Sequence, residues 1–554
     1  MSIGGNKIRE LIQRRRRGQK GTAQPVHTEP PFGGINASVA LSQMPSEDCV
    51  YIYNMFPARY GLRARPGYRK WCPPIPLGSG VRTIIPCNAS LRANTADKLF
   101  AVTSDGIYEI TTEQVAPTKR FDFPSKGTGA GWCSWHNYTN TAGAQYILIC
   151  DLDNGYIIYD VTANTFTKPT EGTAPGQIEG ADPSKFVHVA VWKNRVWFSL
   201  VDSSRAYYLN TVGTITGKTT AFDFGAKFKY GGYLKGIWNW TSDGGAGIDD
   251  HLVAISSLGD VVVYTGWDPT TASGEGAFQL RGVWYLGPTP KGRRFVLEEG
   301  GDLLVLTAEG LLSLSQLTSG LAVEDERVFY KTAKINTLVR RDFDQKQALF
   351  GYELNTIPKY SAVIVPTPKL TGQDYFQWAY SYETKGWFML RGAPMLTVET
   401  YGQKVIFGDL DNNLWELAGT ADGVEYDVPN SGNPVEFSML TSYQGYGSPA
   451  NLKRVHLLRP YWVGSTIPQF GVEARFDFQI AELGTVPPFF PQQGALWDLA
   501  AWDDAVWGGG YQTQQLPYGG VGMGRYVAIA LRGNSVGDSA YMGCDLIMDQ
   551  GGYL

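Results

Sequence analysis

The stretch AQYILICDLDNGYIIYD, Ala144 to Asp160, sets two runs of aliphatic and aromatic residues around an Asp-Leu-Asp-Asn-Gly turn. Branched and aromatic side chains suit a pleated, half-buried surface, and Asn-Gly supplies the positive φ of a tight hairpin turn. The stretch predicts a β-hairpin, and it recurs. Related members are DKLFAVTSDGIYEI from Asp97, KNRVWFSLVDSSRAYYL from Lys193, DDHLVAISSLGDVVVYTG from Asp249 and GDLLVLTAEGLLSL from Gly301. KQALFGYELN from Lys346 and QKVIFGDLDNNLWEL from Gln403 complete the series, the Lys346 member being the weakest match. Their starts are separated by 47, 49, 56, 52, 45 and 57 residues. A period near 50 is what one four-stranded blade requires, and no helical periodicity is read between the members. The expectation is an all-β chain built on a β-propeller of six to eight blades, residues 96–430.

The flanks differ from the repeat. Residues 1–30 read as a flexible basic arm and linker. Residues 31–95 read as a segment that packs on a platform, and residues 431–554 as that platform, a β-sandwich or barrel-like domain. Its strands are expected in KRVHLLRPYWVG (453–464), FGVEARFDFQI (470–480) and RYVAIALRG (525–533). A loop-rich insert carries Trp497, Trp502 and Trp507 at five-residue spacing, which fits neither a strand face nor one helix face. These tryptophans read equally as docking aromatics or as a plug folded back on the core.

Composition agrees with a strand-rich body of many short connections. The 554 residues include 66 Gly and 31 Pro, with 13% aromatic and only 18% charged residues. Six cysteines are scattered without a CxxC pair, which points away from zinc and from a disulfide framework. No apolar run approaches the length of a membrane span, and no secretory h-region follows the basic N-terminus. The net charge of −4 conceals an asymmetry: residues 1–20 hold seven Lys or Arg against one Glu, and the remainder 41 positive against 51 negative charges. Arg14, Arg15, Arg16 and Arg17 repel one another, so the arm is solvated. It reads either as a disordered tail or as a contact to DNA phosphate or to an acidic partner ring.

Apparent chemical motifs dissolve on inspection. GNSVG (533–537) has the letters of a nucleophile elbow, but every histidine lies upstream of Ser535. GKT (217–219) lacks the glycine spacing of a phosphate loop. Asp151/Asp153 and Asp409/Asp411 could begin calcium loops, yet they sit at expected hairpin turns without a closing Glu. The histidines lie far apart in sequence, and the acidic pairs Asp249–Asp250 and Asp503–Asp504 read as solvated turns. No catalytic, cofactor or metal set emerges, and the expectation is a chain that is not an enzyme. Many tryptophans are expected to fill inter-blade packing, with stacking on sugar faces as the alternative.

The segment GGIN…MPSEDCVYIYNMFP…GLRARPGYRKW, between Gly33 and Trp71, resembles the opening of tail nozzle and tail-hub (tail tubular) proteins of short-tailed bacteriophages. TSYQGYGSPANLKRVHLLRPYW (441–462), WDLAAWDDAVWGG (497–509) and CDLIMDQGGYL (544–554) resemble later segments of the same proteins. The resemblance implies a virion structural protein, made in the host cytoplasm and assembled as a homohexameric ring below the portal and its adaptor. Tail fibres or a tail tip would be further partners. The lumen would retain and then conduct double-stranded DNA without sequence specificity. An acidic lumen suits that task by repelling phosphate, and the basic arm is placed on the adaptor side. The alternatives are a glycan-binding virion propeller that attaches to host polysaccharide and, third, a glycan-cleaving enzyme.

Overall fold

A computed structural model describes residues 23–88, 97–241, 250–271, 273–274, 276–318, 330–426, 428, 431–484, 512–520 and 522–551. Contacts divide the chain into two compact units: 66–382 with 389–433, and 1–65 with 383–388 and 434–554.

The first unit is a β-propeller. Six small sheets form its ring. The second is typical: Cys133–Thr139, Gln145–Asp151, Gly155–Asp160 and Thr165–Thr167 run as an antiparallel meander. The quoted hairpin is its two middle strands, paired from Tyr146↔Asp160 to Asp151↔Gly155. The last sheet closes the ring across the chain. Thr397–Tyr401, Lys404–Gly408 and Leu414–Glu416 are joined by Tyr68–Cys72, through Leu414↔Cys72 and Glu416↔Arg69. Between the fifth and sixth sheets, Asn355–Ile357, Ala362–Pro366 and Phe376–Ser381 add a further meander, which is counted in a larger sheet. The propeller unit thus begins at Pro66, ahead of the boundary expected at residue 96.

The core lies between blades. Along Gln145–Asp151, Ile147 and Ile149 pack with Phe100 and Ile107 of the first sheet, whereas Leu148 and Cys150 pack with Phe186 and Phe198 of the third. Both faces of the strand are buried, so its sequence is a continuous apolar run instead of an alternation. The tryptophans Trp192 and Trp197 fill the next junction, with Tyr208, Leu252 and Tyr264.

One member of the repeat is corrected. KQALFGYELN forms no hairpin: its lysine ends an α-helix, Asn336–Lys346, and the local hairpin is instead Ala362–Ser381. The helix buries Val339, Asp342, Phe343 and Lys346, a spacing of three, one and three residues. That is one helical face. Two of its four positions are charged, which hid the period from a search for apolar residues.

The second unit is a pair of sheets. Lys453–Gly464 and Ser539–Gln550 form its longest pairing, flanked by Gln24–Thr28 and Gly61–Ala64. The other sheet places Asp48–Tyr53 beside Val435–Thr441, then Val527–Ser535 and Gln469–Phe476. Trp462 of the first sheet sits within 5.4 Å of Phe437 and 5.3 Å of Phe470 of the second, so the two pack face to face as a sandwich. No helix among the described residues is long and apolar enough to cross a membrane.

Candidate functional site

The inner strands of the propeller surround a cavity of about 550 Å³. Cys133–Thr139 contributes His136, Phe186–Trp192 contributes His188, and Leu234–Thr241 contributes Trp238 and Asn239. Arg293 and Arg294 precede the strand Val296–Glu299, Glu353 precedes Asn355–Ile357, and Glu399 lies on Thr397–Tyr401. These groups lie on or just ahead of innermost strands, because each blade turns one strand edge toward the axis, where side chains meet neighbours from distant repeats.

Burial shifts several of the ionisable groups around the cavity. Burial, reinforced by the positive charge of Arg293 and by His136, lowers His188 to about 3. Its Nδ1 accepts from the Ile237 amide at 3.4 Å, and its ring packs against Trp238. His136 is exposed at the cavity surface, and desolvation by the protein around it lowers it as well. Burial, then the nearby Glu353 carboxyl, raises Glu399 to about 8. Burial likewise lowers Lys235 to about 7, with Arg293 and Lys291 adding repulsion. At neutral pH the cavity therefore presents two uncharged imidazoles and an uncharged Glu399 carboxyl.

Its hydrogen bonding is uneven. Arg294 donates to Glu353 Oε1 at 3.1 Å and to the Arg82 carbonyl at 2.6 Å. Lys235 donates to the carbonyls of Pro290, Lys291 and Gly292. Glu353, only 2% exposed, accepts through Oε1 but leaves Oε2 unpartnered among the described residues. Asn239 Oδ1 and Arg293 Nε are unpartnered in the same way. Such orphaned polar atoms are uncommon in interiors, and here they share one wall system.

The acidic turns have a different purpose. Asp151 accepts from the amides of Gly131, Asp153 and Asn154, and Asp153 accepts from those of Gly129 and Ala130. Asp409 accepts from the Asp411 and Asn413 amides and from Trp415 Nε1 at 2.9 Å. Both Asp-Leu-Asp-Asn sequences hold hairpin turns, and their oxygens face N–H donors. Ser535 of GNSVG shares a hydrogen bond with Ser539 at 2.9 Å beside the turn between two sandwich strands, and GKT opens the strand Gly217–Asp223. Arg14, Arg15, Arg16, Arg17, Trp497, Trp502 and Trp507 lie outside the described residues.

The structure brings together His136 and His188, which sequence treated as isolated. A signal existed. They stand 52 residues apart, and Trp238 follows 50 residues later, each interval one blade period.

No family model matches the chain, and no curated protein does. Solved structures with a similar course include the extracellular domain of a hybrid two-component system from B. thetaiotaomicron, at 10% identity and a TM-score of 0.38. That match covers 61% of this chain and 40% of the other, so the chain spans less than half of it. A chain of a mitotic checkpoint complex matches at 9% identity over 60% of this chain and 92% of its own, with a TM-score of 0.34. The computationally designed Ika8 protein matches at 10% over 66% and 95%, with a TM-score of 0.31.

Proposed function

We propose that this chain is a structural subunit of a short phage tail, a ring-forming nozzle that extends the DNA channel below an adaptor ring. One observation carries the reading. Segments that resemble nozzle proteins lie far apart in sequence, yet residues 33–65, 441–462 and 544–551 belong to one compact unit. Cys49 of the first pairs with Thr441 at the start of the second, and Val26, ahead of the first, pairs with Leu546 of CDLIMDQGGYL. A propeller inserted in sequence between two halves of a sandwich suits a part whose sandwich and propeller have separate tasks. In a ring, repeated head-to-tail contacts between subunits would supply closure.

The test is the mass and the negative-stain image of the purified chain, alone and mixed with the adaptor ring. Closed rings of about six copies around a channel are the expected outcome. A chain that stays monomeric in both conditions overturns the reading. The glycan-binding alternative draws on exposed aromatics around the fourth sheet: Trp267 is 56% exposed, and Tyr230 meets Tyr285 in a tilted ring pair at 4.3 Å, both also exposed. Binding of host polysaccharide by a monomeric chain would favour that alternative.

A further inference from the structure

Arg293 is the one guanidinium of the central cavity without a hydrogen bond or ion pair among the described residues. Its neighbours are engaged. Arg294 is held by Glu353 and a backbone carbonyl, and Lys235 by three carbonyls. Arg293 has its Nε sealed from solvent with no acceptor, while Asp202 and Tyr233 act on it only through space. Burial without a partner disfavours a cation, and the fold tolerates that cost at a position facing a cavity. A guanidinium fork matches carboxylate and phosphate oxygens in shape as well as in charge.

We propose that the central cavity is a binding site for a small oxyanion, a carboxylate or phosphate group held by Arg293. The surroundings fit that chemistry. The imidazoles of His136 and His188 lie in the same wall and donate through N–H when suitably tautomeric. The Glu399 carboxyl, protonated at neutral pH, adds a donor instead of a repelling charge. The volume of about 550 Å³ is in the range of small-molecule sites. The site is independent of ring formation.

The experiment uses the full chain. Thermal unfolding is followed in sodium phosphate and in sodium acetate, each against sodium chloride at equal ionic strength, for the wild type and Arg293→Gln. The expected result is a saturable rise in Tm with phosphate, acetate or both, abolished in the variant. Whichever salt acts identifies the oxyanion class. In chloride the variant should melt at or above the wild type, because it loses an uncompensated buried charge. A wild type indifferent to both anions, or a variant that keeps the response, overturns the proposal. A variant that melts lower in chloride assigns Arg293 to structure and also overturns it. The five histidines give a second reading that needs no variant. The imidazole resonances of His136 and His188 should move on phosphate or acetate titration, and those of His27, His251 and His456 should not. Uniform shifts or none would contradict the assignment.

Discussion

Lys346 Nζ lies 2.6 Å from Asp342 Oδ1, one turn earlier on the same helix, and both side chains are almost wholly buried. Tyr352 donates to the other Asp342 oxygen at 3.0 Å, and Lys346 donates to Thr367 Oγ1 at 3.1 Å and stands over the Phe376 ring. Burial pushes the aspartate up and the lysine down, and each ion holds the other charged. Lys346→Met leaves the carboxylate buried without its counter-ion and should destabilise the propeller by about 3–5 kcal/mol. Adding Asp342→Asn, which still accepts from Tyr352, should recover part of that loss. Urea unfolding followed by tryptophan fluorescence measures both.

The cavity gives stability a two-sided pH profile. Glu399 keeps its proton up to about pH 8 in the folded chain, against an ordinary 4.5. The folded state then binds more protons than the unfolded one, so stability falls as pH rises from about 4.5 to 8. His188 acts at the other end. Lowered from 6.5 to about 3, it stays neutral where the unfolded chain is protonated, so stability falls as pH drops through that window. Between about pH 4.5 and 6.5 the two slopes oppose each other, so Glu399→Gln should abolish the fall above about pH 6.5, expose the His188 slope below it, and leave the fall under about pH 4.5 in place. Melting temperatures from pH 4 to 9 read the difference.

Ring closure draws on Arg69, which meets Glu416 across the paired strands Tyr68–Cys72 and Leu414–Glu416 through Nε at 2.9 Å and Nη2 at 2.7 Å. The acid is buried and the arginine partly exposed, so Glu416→Ala should cost about 1–2 kcal/mol, less than a fully enclosed pair. The loss should be local. Limited proteolysis should cut first near residues 66–73 in the variant.

Calcium should be without effect on the paired Asp-Leu-Asp-Asn turns. Their carboxylates already accept backbone amides. Excess calcium and excess chelator should give the same melting temperature, whereas Asp151→Ala should lower the melting temperature, through about 1–3 kcal/mol of stability lost with the turn bonding. A calcium-dependent rise would reassign the turns.

Deleting residues 1–20 removes a net charge of +6. On the nozzle reading, the shortened chain should still form rings but should bind the adaptor ring weakly, with the residual binding less sensitive to salt. Sedimentation of mixtures at two ionic strengths tests this. Full attachment by the shortened chain would remove the arm from the interface.

The propeller was legible because each blade repeats one local device, an apolar pair of strands about an Asp, Asn or Gly turn. Where the device changed, sequence reading slipped. The helix Asn336–Lys346 hides charges on its inner face, and only the tertiary pairing of Asp342 with Lys346 makes that face compatible with burial. The start of the propeller was missed for another reason. Tyr68–Cys72 is one strand of a blade whose other strands lie more than 300 residues later, and no local pattern announces such a partner. The cavity was hidden similarly: Arg293, Glu353 and Glu399 look like ordinary surface charges until blade geometry turns them inward.

The pairing of Asp48–Tyr53 with Val435–Thr441 also sets a timetable for synthesis. The earlier strand leaves the ribosome some 380 residues before its partner exists, a wait of about 20–80 s at ~5–20 residues per second. In that interval the propeller can complete itself, because its closing partners Tyr68–Cys72 and Leu414–Glu416 have both emerged. The sandwich cannot. A chain interrupted between residues 425 and 434 would carry a finished propeller and an orphaned β-strand, so the order of translation distinguishes complete chains from fragments.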